Sequence, residues 1–423
     1  MTTGHADHPA AETTVTRGAA AAGGQGAGWV QEALAEHDEQ ALREHEQERR
    51  EQEAGHSRRG SPQPLPGTVR EELVLERIDR ARRARPRVKE ERITMSHGAG
   101  GKATHTLIEA VFLDAFRNPL LEPLEDAAQL RLGRSRVALT TDSYVVSPLF
   151  FPGGCIGDLA VNGTVNDLSM TGAVPLYLTS GFILEEGFPV ADLGRIVESM
   201  GQAARAAGVQ IVTGDTKVVE KGKADGCYIN TAGVGLIEHD ANLGVAHARP
   251  GDAIIVSGPI GDHGITIMLA RGELDIEADV TSDTAALGGL VARLLTQATG
   301  VRALRDATRG GVATILNEIA AAAGVGVHVT EDDIPVRDEV RGACELLGID
   351  PMYVACEGRL VAVVDGAHAP GALAALRAHP LGEQAAIIGH VTEGPPGIVQ
   401  LRTSFGGTRI VDLLVGDPLP RIC

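Results

Sequence analysis

Four stretches of this chain carry side chains whose types and spacing suit chemistry. "SHGAGGK", residues 96–102, strips side chains from the backbone at Gly98, Gly100 and Gly101. Backbone N–H groups there can approach an anion, and the Thr/Leu/Ile pattern that follows can start a helix whose N-terminus adds positive potential. The spacing is neither a Walker loop nor the dinucleotide fingerprint, and a plain turn explains it equally well. Three carboxylates follow: Asp142 in "TTDSY", Asp167 in "NGTVNDLSM" and Asp215 in "TGDTKVV". On turns after apolar strands they would converge on Mg²⁺, which prefers oxygen ligands and shares them with substrate phosphates. Asn162 and Asn166 would add neutral ligands. Any one Asp alone reads as a cap or an Asx turn; three of them downstream of a glycine loop favour a cation.

Lys217 lies two residues beyond Asp215. It suits a phosphate, or a proton if desolvated; a surface ion pair is the plainer reading. Glu357 in "CEGRL" reads as a turn residue or a base, and its neighbour Cys356 as an inward-packed thiol. Cys155 reads as a small buried filler. The "DATRGG" turn, 306–311, offers Arg309 or a helix N-terminus to a phosphate, while Asp306 or Thr308 equally suits a helix cap.

Cys423 closes the chain in "VGDPLPRIC". The segment is polar and proline-bearing, so it reads as extended and mobile. Nine extended residues span roughly 30 Å, enough to carry a thiol into a cleft or out to a partner. The adjacent terminal carboxylate raises the thiol pKa, and Arg421 offsets part of that.

The elements that position these groups follow from composition and pattern. The chain has 423 residues, 43% of them hydrophobic but only 3% aromatic, so its core is built from Ala, Val, Leu and Ile. A formal net charge of -18 disfavours nucleic acid and membrane surfaces as partners. The five cysteines, Cys155, Cys227, Cys344, Cys356 and Cys423, form no CxxC pair, which fits reduced thiols in a cytoplasm. No signal peptide and no membrane span is evident.

Residues 1–92 read as a disordered, charged extension and linker, with irregularly spaced histidines that read as a solvated tail, and with Trp29. From Ile93 strands alternate with helices. "RVALTTDS" and "VQIVTGDT" read as strands running into polar turns; "DLGRIVESMGQAARAAG" reads as a helix stopped by Gly208. Helical patterns recur at 284–298, 311–323 and 336–347, with strands at "RLVAVVD", "AAIIGHV" and "GIVQLRT". This implies two α/β (α+β) domains, 93–245 and 246–405, and a mobile C-terminal tail, 406–423.

Together, "SHGAGGK", "TTDSYVVSPLFFPGG", "LAVNGTVNDLSMTGA", "IVTGDTKVV", "DATRGGVATILNEIA", "CEGRL" and the terminal "PRIC" resemble the HypE family of hydrogenase maturation factors, over about residues 93–423. That family is a carbamoyl dehydratase branch of the PurM-like enzymes, which include aminoimidazole ribonucleotide synthetase, selenophosphate synthetase and thiamine monophosphate kinase. The resemblance implies two α/β domains, the first pairing across a homodimer into a β-barrel. It implies ATP and Mg²⁺ as cofactors, with Mg²⁺ on Asp142, Asp167 and Asp215 and the nucleotide near Gly98, Gly100, Gly101 and Asn166. It implies that a HypF-like carbamoyltransferase loads Cys423. ATP-driven loss of water then leaves a thiocyanate, and cyanide passes to iron on a HypC–HypD complex. Lys217 and Glu357 match the positions thought to move protons. Selenophosphate synthetase needs a reactive Cys near the glycine loop, and no cysteine precedes Cys155. A thiamine monophosphate kinase has no use for a terminal cysteine. A non-catalytic scaffold is the remaining alternative, and the intact acidic set counts against it.

Overall fold

The computed structural model describes residues 88, 90–272, 278–416, 419 and 421–423. The extension expected before residue 93 lies almost wholly outside them.

The first half opens with α1 (Lys102–Leu107), which passes through a π-helical turn, Ile108–Phe112, into α2 (Leu113–Phe116). Strands β1 (Ala128–Leu132), β2 (Ser135–Tyr144), the short pair β3 (Phe150–Phe151) and β4 (Gly154–Cys155), β5 (Val174–Glu185), β6 (Gln210–Val219) and β7 (Cys227–Ile237) follow. Helices α3 (Ile156–Met170) and α4 (Val190–Ala207) lie between them in sequence. The main sheet runs β1-β2-β7-β5-β6, and only the β5–β6 pairing is parallel. β7 shows why: every second residue is buried, so one face meets α3 and the other does not. Within one chain this sheet is open, not a closed barrel, and every residue of edge strand β6 except Val219 is exposed.

The second half contains β8 (Ala253–Val256), α5 (Asp262–Ala270), α6 (Gly288–Gln297), β9 (Val301–Asp306), α7 (Gly311–Ala323), β10 (Gly326–Thr330), α8 (Asp338–Leu347), β11 (Leu360–Val364), α9 (Ala369–Arg377), β12 (Ala386–Thr392), β13 (Val399–Arg402) and β14 (Thr408–Val411). Its seven-stranded sheet runs β14-β13-β10-β12-β8-β11-β9. The central strands "AIIV" and "LVAVV" are buried throughout, as apolar runs must be when both sheet faces are covered.

Helix α4 ends where expected: Ile196, Met200 and Ala204 form its buried stripe, and Gly208 takes the left-handed turn that stops it. Three expectations change. Asp142 and Asp215 lie within strands β2 and β6, not on turns beyond them, because the β-branched residues around each sustain pairing. Asp167 lies inside helix α3. The tail cannot begin at residue 406, since β14 pairs with β13 as far as Val411.

Candidate active site

The chain terminus is docked, not projecting. Val145 donates its N–H to a terminal carboxylate oxygen of Cys423 (3.1 Å), and Ser147 donates to the Arg421 carbonyl (3.3 Å), so the last residues lie along the chain beyond β2. His263 Nε2 donates to the Ile422 carbonyl (2.9 Å) while its Nδ1 meets the Ser282 hydroxyl (2.8 Å). Burial holds that imidazole below its usual pKa, so it stays neutral. Arg271 donates to the carbonyls of Ser147 and Arg421, each at 2.9 Å, and Arg421 itself pairs with Asp225. Ile422 and Leu419 enter the same apolar core as Tyr144, Val146 and Ile265. The sequence expectation weighed the prolines and the terminal position; the burial of Ile422 outweighs both.

Cys423 is 8% exposed and lines a cavity of about 130 Å³ with Gly98, Val145, Arg309 and Tyr353. Burial, with Glu357, Asp142 and Asp306 nearby, pushes its thiol up to about 12, although Arg309 opposes the shift. The docked thiol is therefore protonated near neutral pH.

The glycine loop forms a wall of this cavity and of a larger cleft of about 920 Å³. A Cβ on Gly101 would sit 2.4 Å from the Leu414 carbonyl, which also accepts the Lys102 N–H at 2.9 Å. Gly100, at φ +73°, would place a Cβ 2.7 Å from the Arg309 carbonyl. Absent side chains thus let the loop close on both segments.

At the Asp126 wall of the large cleft three carboxylates meet. Asp126, Asp167 and Asp306 each bring one oxygen within 4.8 Å of the others. Thr140 donates to Asp167 Oδ2 (2.9 Å), and Arg305 pairs with Asp126 (2.9 Å). Burial and mutual repulsion raise all three pKa values, Asp306 to about 6. Asp126 Oδ2 and Asp306 Oδ2 are buried without a hydrogen-bond partner. An all-oxygen donor set with unpaired buried oxygens fits a hard divalent cation such as Mg²⁺. Asp142 is close enough for its charge to act on Asp167, Asp306, Glu357 and Cys423.

Glu357 is buried, its Oε1 has no partner, and burial beside Asp306 and Asp142 lifts its carboxyl well above the usual range. Its backbone is clamped: its N–H donates to Asp283 (3.0 Å), and its carbonyl accepts from Asn166 (3.4 Å). Asn166 also accepts the Leu287 N–H (2.7 Å) and donates to the Ala285 carbonyl (3.0 Å). Its amide is thus spent on holding the Glu357 loop, and the structure does not bring it to the large cleft.

Asp215 and Lys217 stand apart. They pair with each other on β6, both exposed. Asp142 aligns with Thr231 on β7, Thr231 with Ser180 on β5, and Gly181 beside it with Asp215. Three strand spacings, roughly 14 Å at about 4.8 Å each, therefore separate β2 from β6. One chain does not bring Asp215 to the Asp167 cluster. Sequence reasoning missed Asp126 and gave Asp306 only a capping role. The Asp306 signal was its place beside "TRGG"; Asp126, in "LEDAAQ", had none.

This site, in a two-sheet α/β fold, is of the AIR synthase-related class. The profile described as "AIR synthase related protein, N-terminal domain" matches residues 124–237, and "AIR synthase related protein, C-terminal domain" matches 249–402. Carbamoyl dehydratase HypE of Azotobacter vinelandii is 56% identical over 331 residues, covering 78% of this chain and 97% of the relative. Two crystal structures align at 50% identity: HypE in complex with ATP (TM-score 0.66; 78% of this chain, 100% of that one) and the HypE–HypF complex (TM-score 0.70; 73% and 99%). The chain belongs to the HypE carbamoyl dehydratase family.

Proposed function

We propose that this chain dehydrates a carbamoyl group carried on its own Cys423, at the expense of ATP, to give the thiocyanate that supplies cyanide to [NiFe]-hydrogenase iron. The observation that carries this reading is the docking of the terminal thiol between Arg309 and the glycine loop, with Glu357 and the acidic cluster close by. The relatives' name and the ATP-bound relative support it.

The chemistry divides into two balanced steps. The amide oxygen of Cys–S–C(=O)–NH₂ attacks the γ-phosphorus of ATP, one N–H proton leaves, and Cys–S–C(OPO₃²⁻)=NH and ADP form. The C–O bond then breaks, the second N–H proton passes to the leaving phosphate, and HPO₄²⁻ departs from Cys–S–C≡N. The protein contributes positioning and charge, as phosphoryl transfer requires. Asp126, Asp167 and Asp306, with Asp142 beside them, would hold Mg²⁺, which would supply countercharge to the phosphates. The glycine loop of Gly98, Gly100 and Gly101 would meet the nucleotide, with Gly100 in the cleft wall. Glu357, buried with its Oε1 unpartnered, takes an N–H proton.

Asp215 and Lys217 enter through a second copy. The bare β6 edge, with Ile211, Val212 and Val218 exposed, is what a homodimer with a shared β-barrel would cover. It would bring Lys217 to the partner's site as phosphate ligand or proton acceptor. Because the docked thiol is protonated, loading by a HypF-like carbamoyltransferase takes place with the tail released; so does delivery to a HypC–HypD iron complex. Free cysteines fit the cytoplasm, and among the described residues no helix is long and apolar enough to cross a membrane.

Cys423→Ala tests the carrier: ATP binding should persist and the carbamoyl adduct disappear. An adduct that survives at Cys155 or Cys356 would overturn the assignment.

A further inference from the structure

Arg309 occupies a position that neither the acidic cluster nor the tail explains. It lines the 130 Å³ cavity that contains Cys423 and also the 920 Å³ cleft that contains Asp126. Gly100 closes against its carbonyl and Cβ, which fixes its backbone. The guanidinium donates once, from Nη1 to the Gly98 carbonyl at 3.0 Å. Among the described residues it has no carboxylate partner, unlike Arg305, which faces Asp126, Glu125 and Glu318. The titratable groups whose fields reach it most strongly are Cys423, Asp142 and Glu357. Arg309, solvent-exposed and without an ion pair among the described residues, lines both cavities with most of its five donors free for a ligand.

We infer that Arg309 is a catalytic residue that spans the two cavities, grips the carbamoyl oxygen of Cys423 as the γ-phosphoryl group is transferred to it, and retains the phosphate as the C–O bond breaks. The inference rests on the dehydratase reading. The planar fork bonds two oxygens of one phosphoryl group at once, which a lysine ammonium cannot do in the same geometry. Charge grows on those oxygens in both steps, so the contact strengthens in the transition state. The same guanidinium opposes, in part, the upward shift that burial gives Glu357.

The test uses full-length enzyme, carbamoylated on Cys423, and follows loss of one water from the C-terminal peptide in a single turnover with ATP and Mg²⁺. Arg309→Gln and Arg309→Lys are compared with the unaltered chain, and ATP affinity is measured on the same preparations. Dehydration should fall by about 100-fold or more in the Gln variant, the range expected for a lost transition-state donor. Lys should recover less than about a tenth of the rate, and ATP affinity should stay within about threefold. Dehydration within about threefold of the unaltered rate in either variant would overturn the inference. So would a loss of ATP affinity that accounts for the whole effect. Failure of the unaltered enzyme to lose water with ATP would instead overturn the dehydratase reading beneath it.

Discussion

Val145 and Cys423 are joined by a hydrogen bond from the Val145 N–H to the chain's terminal carboxylate. An extension would turn that carboxylate into an amide and demand space for a further residue. The adjoining cavity, about 130 Å³, holds only about four waters at roughly 30 Å³ each. A two-residue Gly-Ser extension after Cys423 should lower dehydration by about tenfold or more, measured as peptide mass change per minute. The same extension before Met1 should leave the rate unchanged. Equal rates for the two would show that the tail works without the docked geometry.

The docked thiol lies at about 12, so at pH 8 it should resist alkylation. Ile422→Asp puts a charge into the apolar core and should release the tail. Cys423 should then react with iodoacetamide about tenfold faster or more, read by peptide mass. A rate unchanged from the unaltered chain would mean that Ile422 does not anchor the terminus.

Asp126, Asp167 and Asp306 hold their protons more tightly in the folded chain than an ordinary carboxyl does. Their contribution to stability is therefore full below about pH 4 and is withdrawn as pH rises through about 6 and beyond. Mg²⁺ at this cluster would bind the deprotonated set, so millimolar Mg²⁺ should raise Tm by several degrees at pH 8 and by little at pH 5. Asp306→Asn should raise the metal-free Tm at pH 8 and erase the Mg²⁺ gain. A Mg²⁺ gain as large at pH 5 as at pH 8, or intact in the Asn variant, would remove the cluster as the cation site.

Asn166→Leu leaves the Leu287 N–H and two loop carbonyls without their amide partner. At about 1 kcal/mol for each lost bond, the folded chain should lose about 3 kcal/mol in urea unfolding. Dehydration should fall with ATP affinity unchanged, since Asn166 holds Glu357 rather than the nucleotide. A selective loss of ATP affinity would restore the nucleotide role expected from sequence.

Much of the framework was legible before the structure. The apolar stripe of α4 and its Gly208 stop follow from periodicity and backbone freedom. The all-buried runs of β8 and β11 follow from the covered sheet. The site was legible only in pieces. Asp142 acts on Asp167, Glu357 and Cys423, and Glu357 acts on Cys423. But Asp126 lies just before β1 and Asp306 ends β9, so they meet across a long stretch of chain with no local motif to announce it. The residue type of Asn166 fits a ligand as well as a loop clamp, and no sequence signal marks its three loop partners. Asp215 and Lys217 sit beside "TG" as sequence suggests, yet strand order carries them to the far edge of the sheet. If a second copy completes the site, Val212→Asp on that edge should give monomers in sedimentation and abolish dehydration. A fully active monomer would remove Lys217 from the mechanism.

The central claim is that water is lost from a group on the enzyme's own last side chain. The most direct test supplies carbamoyl phosphate, Mg²⁺, ATP and the carbamoyltransferase, then weighs the C-terminal peptide. The account predicts a carbamoyl adduct on Cys423 that persists when the loaded, desalted chain is left without ATP and loses one water when ATP is restored. An adduct on another cysteine, or one that keeps its water in the presence of ATP, would contradict it.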